Sequence, residues 1–282
     1  MMIPVLTAIG FMLTATLGSS ITAEPQNVHP DAILPDISPG VPKHLNIHNQ
    51  QQNEYLRFTN VWANVGDGTL EFFPDDPYVD AVEGELQDAR QYLYDENGDI
   101  GNIDNSIWNA TVSSFIFHDT HNHWHIDDIG LYSLNEFTGD YDVPGDIVPG
   151  LNSTKVGFCI TNVFKYDGSE SPTSQRTYWD CEVGFQGIEP GWADQYHQST
   201  DGNQIDITGI ENDKYFLVHS WNPESAFVDA DASNDQSWVL FELSQNNNGN
   251  GNRKITIIKE FAPECQADGS TPGLCGDLNK NS

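Results

Sequence analysis

Short runs that alternate apolar and polar residues recur along this chain, and nowhere does a helical period hold for long. That pattern leaves little choice of fold. Successive side chains of a strand point to opposite faces, so alternation buries one face and wets the other. "YLRFTNVWANVG" at 55–66 alternates and runs into a Gly-Asp-Gly turn, and "TLEFF" follows before a Pro-Asp stop. "SSFIFHDTHNHWHI" reads as one long strand or two; "KVGFCITNV", "QIDITGI", "DKYFLVHSW", "SWVLFEL" and "KITIIKEF" complete the series. Many short strands between polar turns predict a mainly β fold: an antiparallel β-sandwich core with long loops and few short helices. Long loops are expected at 84–106, 165–177 and 197–203.

At 282 residues, with 38% hydrophobic and 11% aromatic residues, the chain has enough apolar material for one folded core. Its charge is lopsided: 42 acidic against 11 basic residues, formally −31. Nucleic acid and anionic membrane surfaces are therefore excluded as partners, because both need cationic neutralisation. The field attracts cations instead, amines and divalent metals among them, and it also suits saline surroundings.

Residues 3–17 are mostly apolar and small residues follow, which predicts an export signal cleaved after Ala23 (1–23). No later segment is apolar enough to span a membrane, so no membrane contact is expected after cleavage. The remaining organisation is one domain over 24–260 and a peripheral tail over 261–282. Export permits disulfides. Four cysteines allow three pairings; Cys265 and Cys275 bracket a polar loop, which leaves Cys159 to Cys181.

Within this frame "HDTHNHWH", 118–125, crowds four of the nine histidines. If the stretch is a strand, His121, His123 and His125 share a face at steps of roughly 6.5–7 Å, near enough to converge on one ion. His118 has the opposite parity and is expected to face away. Asp119 and Asp127 share the ligand face and could orient an imidazole. Imidazoles suit copper, zinc, iron or nickel, and three of them with an open position suit catalysis rather than a closed structural site. The residues themselves do not separate zinc from copper.

"FHDTHNHWHIDDIGLYSL" resembles the copper-binding segment of the lysyl oxidase family, through His118, His121, His123, His125 and Tyr132. The resemblance implies copper on the last three histidines. Thr120 stands where animal members carry a cysteine, so that disulfide is missing and Cys181 is again left to Cys159. "TKVGFC" is similar to the family's lysine segment and implies Lys155 as one half of a lysine tyrosylquinone cofactor. "FQGIEPGWADQYHQSTDGNQIDIT" is similar to its tyrosine segment and implies Tyr196 as the other half. Trp192 replaces a further cysteine, which predicts a loop without its disulfide brace. "VDADASND" resembles a calcium-binding loop of some lysyl oxidase-like proteins, implying Asp229, Asp231, Asn234 and Asp235 as ligands, with Asp36 and the Ile37 carbonyl from "LPDIS".

The resemblance runs from about Leu34 to about Leu243 and is to the compact microbial form of the family. It implies a secreted copper-dependent amine oxidase acting on primary amines or peptidyl lysine with dioxygen. The products are an aldehyde, ammonia and hydrogen peroxide. Asp194 and Asp206 are the candidate bases for the α-proton. If the quinone did not form, the same ligands would make an exported copper- or zinc-binding protein.

Overall fold

The computed structural model describes residues 27–76, 81–153, 157–166, 176–181, 185–245, 253–265 and 274–275. The predicted mainly β class is what these residues build: sixteen strands, every pairing antiparallel, in three sheets. The helical pieces described are single 3₁₀ turns such as Ile103–Asn105 and Ala232–Asn234.

Residues 55–64 of the alternating stretch lie in β3 (Asn53–Asn64), the longest strand described. Along one edge run β1 (Ile37–Pro39) and β2 (Lys43–Gln50); along the other run β12 (Trp192–Tyr196) and β13 (Gln204–Asp206). The overlapping registers require opposite edges: β1 takes Trp62–Asn64 while β12 takes Asn60–Ala63. β10 (Phe164–Lys165) extends this sheet beyond β12. The second sheet has the order β11 (Gln186–Ile188), β4 (Leu70–Pro74), β5 (Leu86–Leu93), β6 (Trp108–His118), β7 (His123–Ile126). The third has the order β16 (Arg253–Phe261), β15 (Gln236–Gln245), β14 (Lys214–Trp221), β8 (Gly130–Glu136), β9 (Ile147–Asn152).

One hydrophobic core joins all three sheets: Phe58 and Trp62 from the first, Phe72 and Phe115 from the second, Leu134 and Phe241 from the third. Trp62 is its centre, fully buried against Tyr132, Phe158, Tyr196, His219 and Trp221. A buried Trp of this kind typically contributes about 3–5 kcal/mol, the usual cost of truncating it to alanine.

Three expectations change. The expected loop at 84–106 contains β5, whose "LQDARQYL" lacks β-branched residues and is held by pairing with β4 and β6. The expected strand "KVGFCITNV" is irregular where described; only Phe158 bridges to Ile126. The Trp192 segment is no unbraced loop, since Trp192 is buried on β12 with the Lys165 ammonium over its ring. Both expected disulfides, Cys159–Cys181 and Cys265–Cys275, are present. Beside the second, Leu274 packs in a small cluster with Val61, Ala63 and Ala193. Residues 1–26, and with them the signal segment, lie outside the described residues.

Candidate functional site

The histidine stretch is not one strand but a hairpin. β6 ends at His118, residues 119–122 turn, and β7 begins at His123, directly opposite His118. The turn closes through the His121 and Asn122 amides, which both donate to the His118 carbonyl at 3.1 and 2.7 Å. Asn122 takes the left-handed conformation, φ 56°, that Asn tolerates better than most residues.

Two of the three ligand candidates behave as the parity argument expects. His123 and His125 share a face of β7, with their Nε2 atoms 3.0 Å apart. His121 arrives by another route, from the turn, with Nδ1 3.5 Å from His125 Nε2. One nitrogen from each ring lies within 4.8 Å of the others. Ligand nitrogens about 2.0–2.1 Å from a shared ion stand roughly 3–3.5 Å apart at near-tetrahedral angles, so these contacts fit one metal.

His118 does not face away. Residues paired across an antiparallel hairpin share a face, so His118 joins His123, and its ring centroid lies 4.5 Å from that of His125. The parity count fails because the turn breaks the strand between 118 and 121. The carboxylate that meets this cluster is Glu83, with Oε1 3.3 Å from His118 Nδ1 and Oε2 accepting the Asp119 amide at 2.7 Å. Sequence reasoning missed Glu83, and no local signal marks it; sheet register brings it there. Asp127 is partly buried, which raises its carboxyl pKa, and it lies near His118.

The irregular segment after residue 157 docks on the free edge of β7. Phe158 and Ile126 exchange both backbone hydrogen bonds, at 2.8 and 3.0 Å. The next residues bond in turn to different elements. Ile160 donates to Gln186 Oε1 at 3.0 Å and accepts from the Gly187 amide at 3.0 Å, while Thr161 donates to Asp194 Oδ2 at 3.3 Å. Divided partners explain why an apolar run makes no strand here. Gly187 is required at this crossing, because a Cβ would lie 2.2 Å from the Leu70 carbonyl oxygen.

Cys159 joins the two halves of the site. Its Sγ and that of Cys181 lie within 4.8 Å of a His123 ring nitrogen; both sulfurs are in the disulfide and are not ligands. Its carbonyl accepts the hydroxyl of Tyr196. Tyr196 is held between Phe158, 4.8 Å between ring centroids, and Trp62, 6.1 Å. The turn leading into β12 explains the Pro190-Gly191 pair: Trp192 N–H donates to the Glu189 carbonyl at 3.0 Å, and Gly191 has φ 79°. Lys155 lies outside the described residues.

The two candidate bases part company. Asp194 lies opposite Trp62 and Tyr196 opposite Asn60, so they share the inner face of the sheet. Burial pushes the Asp194 carboxyl up to about 8, against the hydrogen bonds from Thr161 and Gln195 that lower it. Asp206 lies opposite Tyr55, five residues along β3 from Asn60 and on the other face, about 16 Å away at a strand's rise. It is exposed and accepts the Thr208 amide at 2.9 Å. Burial also raises the hydroxyls of Tyr132 and Tyr196 well above the ordinary tyrosine value, with the nearby Asp194 adding to both, so both stay neutral phenols.

Away from the hairpin, "LPDIS" and "VDADASND" meet. Asn234 Nδ2 donates to Asp36 Oδ1 at 2.8 Å, and the Ile37 amide donates to Asp229 Oδ2 at 3.1 Å. Burial lifts Asp229 to about 6; burial, then repulsion from Asp229, Asp36 and Asp231, lifts Asp235 to about 8. Asn234 Oδ1 and Asp235 Oδ1 are buried without a hydrogen-bond partner. Orphaned hard oxygens among mutually repelling carboxylates suit a calcium ion, although they are gathered less tightly than the imidazole nitrogens.

Comparison with known proteins points to one family. The Lysyl oxidase family model matches residues 87–248, more than half of the chain. Lysyl oxidase homolog 3A of Danio rerio is 30% identical over 128 residues, covering 43% of this chain and 15% of the relative. Lysyl oxidase homolog 3 of Homo sapiens and that of Mus musculus are each 30% identical over 123 residues, with the same coverage. The chain thus spans about 15% of the length of the curated relatives it matches.

Proposed function

The chain belongs to the lysyl oxidase family, and from that premise we propose that it is a secreted amine oxidase. Its substrates are primary amines, peptidyl lysine among them, and its products an aldehyde, ammonia and hydrogen peroxide. His121, His123 and His125 hold copper, and Lys155 and Tyr196 together form lysine tyrosylquinone. Copper held by these histidines would supply, with dioxygen, the oxidising chemistry that the Tyr196 ring needs, and the quinone of Lys155 and Tyr196 would supply an electrophilic carbonyl and an electron sink that ordinary side chains lack.

One observation carries the reading. The Tyr196 hydroxyl is bonded to the carbonyl of Cys159, the residue whose sulfur lies within 4.8 Å of a His123 nitrogen. Phe158 and Trp62 hold the partly buried Tyr196 ring. Asp194, on the same face, takes the proton from the carbon next to the amine; a carboxyl raised to about 8 is a stronger base, once ionised, than an ordinary aspartate. Asp36, the Ile37 carbonyl, Asp229, Asp231, Asn234 and Asp235 bind calcium and tie the start of the domain to its last strands. Export is supported by the apolar leader and the two disulfides. The formal charge of −31 draws amines toward the surface.

The test is peptide mass spectrometry on protein loaded with copper in air, with Lys155→Ala as control. A cross-link between the Lys155 and Tyr196 peptides is expected. Separate, unmodified peptides at full copper occupancy would leave a metal-binding protein without the oxidase chemistry.

A further inference from the structure

Four of the nine histidines crowd the metal hairpin. Of the other five, three line a single cleft: His44, His48 and His197, with Arg57, Asn46 and Gln198, around a volume of about 500 Å³. No carboxylate lines it, in a chain with 42 acidic residues. The cleft opens on the outer face of the first sheet, because Arg57 and Thr59 alternate along β3 with the core residues Phe58 and Asn60. It is therefore separate from Tyr196, which faces inward.

Local backbone geometry builds it. β2 bulges between Lys43 and Asn46, and within the bulge His44 has φ 54°. A left-handed non-glycine residue costs about 1–2 kcal/mol, and bulges of this kind re-aim side chains. Here the bulge sets His44 Nδ1 3.0 Å from Thr59 Oγ1, and its ring centroid 5.8 Å from that of His197. The same Thr59 oxygen accepts the Gln198 amide at 3.0 Å, which fixes the floor of the cleft.

Several polar groups that face this space are donors. The Ser199 amide donates to His197 Nδ1 at 3.2 Å, so the neutral ring carries its proton on Nε2. Asn46 Nδ2 donates to Gln198 Oε1, which leaves the Gln198 amide nitrogen as a donor. Arg57 Nε donates to Gln204 Oε1 at 2.9 Å, and no carboxylate among the described residues pairs with the guanidinium. Across β2 a second cleft of about 280 Å³ shares Asn46 and is lined by Lys254 and by Arg253, whose guanidinium is paired with Glu54 at 2.6 Å.

We propose that the His44–His197–Arg57 cleft binds an oxyanion, a carboxylate or phosphate group carried by a ligand that this otherwise acidic surface would repel elsewhere. Arg57 provides the fork that grips two oxygens, and His197 Nε2 and the Gln198 amide complete the donor set.

The test is calorimetric titration of the full copper-loaded chain at low salt, with inorganic phosphate and with triglutamate as separate probes. Saturable binding of either is expected, with Arg57→Gln weakening it at least tenfold and Arg57→Lys less. Tighter binding of phosphate or of triglutamate names the source of the oxyanion. Asp206→Asn, on the same sheet but outside the cleft, should bind as wild type, and near-UV dichroism checks that each variant is folded. Absence of saturable binding by both probes overturns the proposal. So does equal affinity in folded Arg57→Gln, or zinc chloride binding that survives Arg57→Gln and is lost in His197→Phe, which would make the cleft a metal site.

Discussion

Asp194 and Asp206 are both aspartates of one segment, yet their surroundings differ more than any sequence scale would suggest. Buried Asp194 has its carboxyl raised to about 8, whereas Asp206 is a solvated turn cap. If Asp194 is the base, it must be ionised to act, so kcat/KM should rise with pH and level off above about 8. Asp194→Asn keeps an acceptor for the Thr161 amide and should fold, but should lower kcat/KM by about 10²–10⁴, the usual worth of a positioned base. Asp206→Asn should stay within about twofold of wild type. A pH-independent rate in the wild type, or equal losses in the two variants, would remove Asp194 from the role. His219 shows the same lesson in reverse. Burial pulls its imidazole down to about 3, so a histidine packed against Tyr132 is neutral throughout the physiological range.

The β6–β7 hairpin is the element that gathers the three candidate copper ligands, and its turn is the part most open to test. His121 lies in the turn, so its place depends on the left-handed Asn122 rather than on strand pleating. Asn122→Gly should leave copper affinity nearly unchanged. Asn122→Val puts a β-branched residue at φ 56°, at a cost of about 1–2 kcal/mol or more. Copper competition against a chelator should read this as roughly 5–30-fold weaker binding. Equal affinities for the two variants would mean that His121 is placed by something other than the turn. The segment 157–161 teaches a related point. Its residues are as apolar as a strand's, but its amides and carbonyls are claimed by β7, β11 and β12 in turn, so it serves as a clasp between sheets.

Among the described residues, burial raises the carboxyls of Asp36, Glu71, Asp127, Asp194, Asp229 and Asp235 above their unfolded values, Asp229 to about 6 and Asp194 and Asp235 to about 8. The native state therefore holds more protons than the unfolded chain between these limits. Stability from these groups is complete below about pH 4 and is lost as pH rises through 6 to 8. The Tm of metal-free protein should fall over that range, by about 2–4 °C for each kcal/mol lost. Calcium should shrink the fall, because it favours the ionised forms of Asp229 and Asp235, but should leave the share due to Asp194. At a hundredfold excess over Kd, bound calcium adds about 2.7 kcal/mol. Asp235→Asn should abolish most of the calcium increment in a thermal melt at pH 8. A Tm that ignores calcium in the wild type would take the ion out of the Asp36–Asp235 cluster.

The alternation of residues 55–66 was enough to predict β3, and eight residues were enough to predict that three imidazoles converge. In both cases the deciding geometry spans a few bonds: a pleat of period two, or imidazoles spaced along one short stretch. The pairing of cysteines was legible for a similar reason, since few partners existed. What the chain alone left open depends on register between distant strands. Only the fold brings Glu83 to His118, Tyr196 to the carbonyl of Cys159, and His44 to His197. Only the fold puts Asp194 inside the core and Asp206 on the far face of the same sheet. Local covalent geometry is the same wherever a residue type occurs, so sequence determines it. Burial and cross-strand neighbours are set by three sheets closing on one core, a property of the whole chain that no short stretch contains.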